Sequence, residues 1–194
     1  MARLKETPSQ TAGPFLHIGT LPSHAGLRVS QPDRQHILAG SGTLGERIRI
    51  EGRIHDGSGA LVKDAMVEIW QANANGRYGS NEFLGWGRAA TDFETGLFTF
   101  ETIKPGVTPF HDGRPQAPHV SLTIFARGIN VHLQTRMYFP DEAQANAADP
   151  ALQAVGNPRL AETLIARKEG AGAEAIYRFD IRLQGEQETV FFDF

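Results

Sequence analysis

Pro115-Gln116-Ala117-Pro118-His119-Val120-Ser121-Leu122-Thr123-Ile124-Phe125-Ala126 is the stretch whose reading decides the fold. Successive side chains on a strand point to opposite faces, so Val120, Leu122, Ile124 and Ala126 turn together into a core. The other face carries His119, Ser121, Thr123 and Phe125. His119 and Ser121 are neighbours on that face, at the spacing from which two histidines on a rigid strand can grip a metal ion. Only one of the two is a histidine.

Upstream the same period recurs. Ile48, Ile50 and Ile54 alternate with Arg47, Arg49, Glu51 and Arg53, and Asp56-Gly57-Ser58-Gly59 then supplies a turn. Ala65 to Gln71 is apolar on both faces, Val67 and Ile69 on one and Met66 and Trp70 on the other, as in a central strand. Asn73-Ala74-Asn75-Gly76-Arg77-Tyr78 reads as a loop. Leu97 to Ile103 is another strand, closed by Lys104-Pro105-Gly106, with Lys104 a simple turn residue. Trp70, Phe98 and Phe100 are expected in the core.

Downstream, Gly128 allows a break and His132 to Phe139 forms the next strand. Asn157-Pro158 opens the best helix, with Leu160, Leu164 and Ile165 on one face and Arg167 and Lys168 before a terminating Gly170. Tyr177, Phe179, Ile181 and Leu183 give the cleanest alternation in the chain, and an apolar tail, Val190 to Phe194, follows. Many short strands joined by turns predict an all-β fold, an antiparallel β-sandwich with one or two short helices.

Before Arg47 there is little periodicity. Pro8, Pro14, Pro22 and Pro32 fix φ and remove donors, which predicts an extended N-terminal arm. Phe15, Leu16, Ile18 and Leu21 argue that this arm lies on a surface, its own or a partner's. A single domain over residues 1–194 is expected, residues 1–45 forming the arm that packs on a partner and 46–194 the sandwich. With 21 glycines and 11 prolines among 194 residues, turns and short strands outweigh long helices. A net charge of -3 gives no basic footprint for nucleic acid. The apolar runs are strand-length, so no membrane span is expected, and Met1 to Pro8 lacks a secretory core, so cytoplasmic residence is expected. Zero cysteines exclude disulfides and thiolate metal sites.

Three motifs stand in order on this scaffold: Val67-Glu68-Ile69-Trp70-Gln71-Ala72-Asn73 followed by Gly76-Arg77-Tyr78, then Thr102-Ile103-Lys104-Pro105-Gly106, then Pro118-His119-Val120-Ser121. Together they resemble the intradiol ring-cleavage dioxygenases. Tyr177-Arg178-Phe179-Asp180-Ile181 and the arm's Thr7 to Pro14 narrow the resemblance to the iron-free, alpha type of chain. The resemblance covers nearly the whole length.

In that family a catalytic chain holds Fe(III) through two tyrosines and two histidines, phenolate oxygen suiting hard ferric iron. By resemblance Tyr78 matches the first tyrosine, Thr108 stands at the second, and His119 and Ser121 stand at His-x-His. A neutral hydroxyl binds ferric iron far less well than phenolate or imidazole. This chain is therefore expected to hold no metal and no catalytic residue of its own.

The resemblance further implies a catalytic beta chain as partner, carrying the iron in an alpha–beta hetero-oligomer. The implied reaction is oxidation of 3,4-dihydroxybenzoate by O2 to 3-carboxy-cis,cis-muconate. Thr11, Gly13, Pro14 and Phe15 would lie near the aromatic substrate, and Arg127 would receive its carboxylate through a two-point guanidinium fork. Two other readings stay open at this point. One is a self-sufficient iron enzyme using His111 with Tyr78 and His119, and the other is a β-sandwich binding module unconnected with catechols. For His119 and Tyr78 the plain alternative to ligation is a hydrogen-bonded, packed side chain. For Arg127 it is an ordinary surface or interface arginine.

Overall fold

The computed structural model describes residues 8–28, 35–172 and 175–193. Thr7 of the arm motif, Pro32 and the tail's Phe194 lie outside the described residues. In chain order the elements are α1 (Leu16–Thr20), β1 (Arg47–His55), β2 (Met66–Gln71), β3 (Trp86–Ala90), β4 (Leu97–Ile103), β5 (Thr108–Pro109) and β6 (Pro115–Gln116). There follow β7 (His119–Phe125), β8 (Leu133–Tyr138), α2 (Ala143–Ala148), α3 (Pro150–Val155), α4 (Pro158–Glu162), β9 (Arg167–Glu169), β10 (Ile176–Arg178) and β11 (Ile181–Arg182).

Two sheets face each other. One has the order β3-β2-β7-β8, all antiparallel. In the other, β1 pairs antiparallel with β4 on one side, and on its other side runs parallel to β10 and then β11. Ile48, Ile50, Ile54, Val67, Ile69, Phe98, Phe100, Val120, Leu122, Ile124, Tyr177, Phe179 and Ile181 form the core between them. Fully burying each such side chain is worth about 1.5–3 kcal/mol. The sandwich follows from the alternation seen in the sequence.

Buried Gln71 ties the layers together. Its amide donates to the carbonyl of Ile103 at 2.9 Å and its oxygen accepts from the Thr102 hydroxyl at 2.8 Å, so β2 and β4 are cross-linked at one end.

Several local expectations are corrected. The alternation from Tyr177 to Leu183 is two strands rather than one. The Asp180 carboxylate accepts the Arg53 N–H at 3.0 Å, taking the place of a ladder carbonyl and interrupting the pairing. The helix begun at Asn157-Pro158 is real, capped by the Asn157 side chain on the Arg159 N–H at 3.0 Å, but it stops at Glu162. Beyond it the chain is captured by the edge of β8: Tyr138 N–H donates to Leu164 O at 2.8 Å and Ala166 N–H to Tyr138 O at 3.0 Å. Arg167 and Lys168 consequently lie in β9 rather than in a last helical turn.

Four short α-helices and a 3-10 turn, Pro140–Glu142, are present among the described residues, more than the one or two helices expected. Trp70 is 39% exposed, not core, because it sits on the outer face of β2. Lys104 is more than a turn residue. It is largely buried and makes ion pairs with Asp141 at 3.1 Å and Glu142 at 2.6 Å.

The arm lies along its own chain where it is described. Thr11 bridges to Asn130, the Val131 N–H donates to Gln10 O at 3.0 Å, and the Thr11 hydroxyl donates to Ala126 O at 3.2 Å. No helix among the described residues is long and apolar enough to cross a membrane.

Candidate functional site

The two ends of β7 carry the two groups of residues singled out in the sequence. At its start, the loop after β2 is folded over the segment before β5. Asn73 organises that loop: its side-chain oxygen accepts the N–H groups of Asn75 and Arg77, both at 3.0 Å, and its carbonyl accepts Gly76 and Gly106, both at 2.9 Å. Gly76 sits at φ 73°, and a Cβ there would meet Val107 O at 1.9 Å. Only glycine permits that approach. Tyr78 is thereby delivered to His119 and Thr108.

His119 is 2% exposed. Its Nδ1 lies 2.8 Å from Ala117 O, a carbonyl that can only accept, so Nδ1 carries the proton. Nε2 is then the acceptor, and the Tyr78 hydroxyl lies 3.4 Å from it. Burial, and next the nearby Arg136 charge, push the His119 pKa down to about 4. Tyr78 stacks on Trp70 with ring centroids 5.7 Å apart. Burial of its hydroxyl end raises the phenol's pKa, while Arg136 and a hydrogen bond with Thr108 pull the other way.

Thr108 is buried, its hydroxyl 3.3 Å from the Gln116 amide nitrogen. The Gln116 oxygen accepts from Arg136 Nη1 at 2.8 Å. Arg136 also approaches the Tyr138 hydroxyl at 3.5 Å, and that hydroxyl donates to buried Asp149 at 3.2 Å. Asp149 in turn accepts the N–H groups of Ala117 at 2.8 Å and of Ala151 and Leu152 at 2.9 Å, capping α3. Ser121 is half buried and registers opposite Arg136 across the β7–β8 ladder.

Tyr78, Thr108 and His119 are thus brought together, with Ser121 two residues on from His119. The hydrogen-bonding atoms of Tyr78, Thr108 and His119 are already engaged with protein groups, and the Arg136 guanidinium is bonded to the Gln116 and Tyr138 side chains beside them. This donor set does not fit ferric iron: two of its four positions are aliphatic hydroxyls, and a fixed positive charge adjoins it. His111, the third ligand of the self-sufficient reading, is exposed on the turn after β5 with its ring against Phe110 at 4.1 Å. Among the described residues no group of three His, Cys, Asp or Glu converges as a metal site.

At the far end of β7 stands Arg127. Its side chain is 68% exposed and its Nε is ion-paired with Asp64 at 3.0 Å, on the side of the guanidinium away from its two terminal nitrogens. Thr11 touches the carbonyl just before it. Gly13 and Pro14 lead to Phe15, which is 71% exposed although apolar. Val131, across from the arm, adopts φ 67°, rare for a β-branched residue, and is half exposed.

Comparison with known proteins decides the family. The family model described as "Dioxygenase" matches residues 21–185. The protocatechuate 3,4-dioxygenase alpha chain of Pseudomonas putida is 50% identical over 98% of this chain and 98% of its own. The chain belongs to the intradiol dioxygenase family. The protocatechuate 3,4-dioxygenase beta chain of Burkholderia cepacia is a more distant relative of this dioxygenase chain, 39% identical over 75% of it and 68% of the beta chain. In fold, the dioxygenase chain superposes on the dioxygenase domain of a carbohydrate-binding fusion protein from Streptomyces sp. SirexAA-E. That match has a TM-score of 0.60 and 24% identity, covering 96% of this chain and 100% of that one.

Sequence reasoning missed Gln116, Arg136, Tyr138 and Asp149 around the degenerate positions, and Asp64 beside Arg127. Asp149-Pro150 repeats the cap-plus-proline signal of Asn157-Pro158 and was there to be read. For Arg136, one charged residue within a strand, the sequence holds no signal.

Proposed function

We propose that this chain is the iron-free, pocket-forming alpha subunit of a protocatechuate 3,4-dioxygenase. Its partner is a beta chain holding Fe(III). The complex oxidises 3,4-dihydroxybenzoate with O2, opening the ring between its two hydroxyl-bearing carbons to give 3-carboxy-cis,cis-muconate, with both oxygen atoms entering the product. Ferric iron on the partner makes the bound catechol reactive toward O2. This chain binds and orients.

The observation that carries the reading is a separation. β7 runs from His119 to Phe125, six steps of strand at about 3.3 Å each, so its ends lie roughly 20 Å apart, and Arg127 stands in the turn beyond the far end. A dihydroxybenzoate is far too small to touch both. Arg127 and the Thr11–Phe15 arm therefore have no part in a reaction centred on this chain's own Tyr78, Thr108, His119 and Ser121. They are free to wall a pocket centred on another chain, and exposed, apolar Phe15 and Val131 at that end support a partner's packing there.

There, Thr11, Gly13, Pro14 and Phe15 shape the rim. Glycine and proline let backbone approach a ligand closely in a fixed form. Arg127 offers its outer guanidinium edge to the ring carboxylate, a charge-assisted fork that lysine cannot reproduce.

The test is Arg127→Ala in the assembled complex. A rise in KM for 3,4-dihydroxybenzoate with kcat little changed supports the assignment. An unchanged KM, with unchanged preference for the carboxylated over the unsubstituted catechol, removes Arg127 from the pocket.

A further inference from the structure

We infer that the guanidinium of Arg136 is the resident cation of the degenerate pocket, standing in for a metal ion and keeping ferric iron out of this chain. The inference rests on reading Tyr78, Thr108, His119 and Ser121 as a lost metal site, and goes beyond it. Loss of two ligands explains weak binding; a built-in positive charge explains why the pocket needs no ion at all.

Arg136 lies on the sheet face that His119 and Ser121 share, and its links run toward the other two positions. Arg136 registers directly opposite Ser121, and such neighbours on paired strands have Cβ atoms about 5 Å apart. It reaches Thr108 through Gln116, whose oxygen accepts from Nη1 at 2.8 Å and whose nitrogen lies 3.3 Å from the Thr108 hydroxyl. His119 registers opposite Tyr138, whose hydroxyl lies 3.5 Å from Arg136 Nη1, and the Tyr78 hydroxyl lies 3.4 Å from His119 Nε2, so the chain of contacts continues to both.

Its counter-charge is equally built in. Tyr138, opposite His119 in the same ladder, lies 3.5 Å from Arg136 and donates to Asp149 at 3.2 Å. Asp149 is held by three backbone N–H groups, those of Ala117, Ala151 and Leu152. Phe192 covers the charged head itself, its ring centroid 5.7 Å from the guanidinium carbon. A trivalent cation entering beside this fixed charge would meet like-charge repulsion in a poorly solvated site.

The test restores the missing ligands with and without the guanidinium. In the full chain, Thr108→Tyr with Ser121→His is compared with the same pair plus Arg136→Gln, and with the same pair plus Arg136→Lys. Iron per chain and visible tyrosinate–iron absorption are measured after loading with ferric citrate. The expected result is at least tenfold more iron, and colour, in the Arg136→Gln protein, with the Arg136 and Arg136→Lys proteins nearly iron-free. Equal loading with Arg136 in place overturns the inference while leaving the lost-site reading intact. No loading in a folded Arg136→Gln protein overturns it too. Stoichiometric iron in the unaltered chain overturns the lost-site reading itself.

Should the triple variants not fold, a lighter pair makes the same comparison. Ser121→His, alone and with Arg136→Gln, is titrated with ferric citrate while fluorescence is followed, because Trp70 stacks on Tyr78 at 5.7 Å and reports an ion bound there. Quenching at tenfold lower iron in the second protein supports the inference, and identical curves overturn it.

Discussion

The hydroxyl of Tyr78 lies 3.4 Å from Nε2 of His119, whose other nitrogen is held 2.8 Å from Ala117 O. The two side chains are bonded to each other and to backbone. Because His119 is buried and neutral, its titration bears on stability. Its folded pKa, about 4, lies below the usual 6.5. As pH falls from 6.5 to 4 the unfolded chain takes up a proton that the folded chain refuses, so stability declines across that window by up to about 3 kcal/mol. Above 6.5 the group contributes no pH dependence. Replacing His119 with Gln should flatten denaturant-measured stability between pH 6.5 and 4. An equally steep decline in the variant would mean that His119 is not the neutral buried group described.

The close approach of two loops predicts a sharp effect at Gly76. With φ at 73° and Val107 O in the space of a Cβ, Gly76→Ala has to open the contact between the Asn73–Tyr78 loop and the Lys104–Thr108 segment. A loss of about 2 kcal/mol or more is expected from thermal or urea unfolding, since both backbone strain and a backbone clash must be relieved. Gly13→Ala, with nothing within 4 Å of the added carbon, should leave stability within about 0.5 kcal/mol.

A second pH effect belongs to Asp141. Although partial burial opposes it, hydrogen bonds from Lys168, Lys104 and Tyr177 hold its carboxyl at about 2, below the usual 3.8. A depressed carboxyl contributes stability that is present above pH 4 and is lost as pH falls toward 2. Asp141→Asn should therefore weaken the chain at pH 6 and make the acid branch of its stability curve shallower between pH 4 and 2. Solvent screening keeps the size modest, because Asp141 is 31% exposed. An unchanged acid branch would count against the cluster.

Asp64 gives the Arg127 assignment a finer test. Its carboxylate lies 3.0 Å from Arg127 Nε as an ion pair and holds the guanidinium from that side. In the complex, Asp64→Ala is expected to raise KM for the carboxylated catechol several-fold and leave kcat near its normal value. Asp64→Asn, which keeps an acceptor, should lie between. A lowered KM would show that Asp64 competes for Arg127 instead of aiming it.

Where one face of an element meets the core, the sequence was legible. Ile48-Ile50-Ile54 and Val120-Leu122-Ile124 alternate because one face is buried, and burial is what such a pattern records. Reading failed where distant partners override local preference. Leu164 to Ala166 continue a helical pattern yet are drawn onto the edge of β8 by two backbone hydrogen bonds from another part of the chain. Trp70 has an apolar side chain, but its strand faces outward there and Tyr78 covers it only in part. The candidate site divides likewise. Hydroxyls at Thr108 and Ser121, where the proposed lost site calls for ligands, are plain as letters, whereas the Arg136–Gln116 hydrogen bond joins residues of β8 and β6 that only the folded chain brings together.

The central claim is that this chain lends a pocket wall to a partner's iron. It is tested most directly by iron content and visible absorption of the purified chain, alone and after co-expression with its beta chain. The account predicts a colourless, iron-free chain alone, and a coloured, active complex with one iron per alpha–beta pair. A coloured and active chain on its own would contradict it.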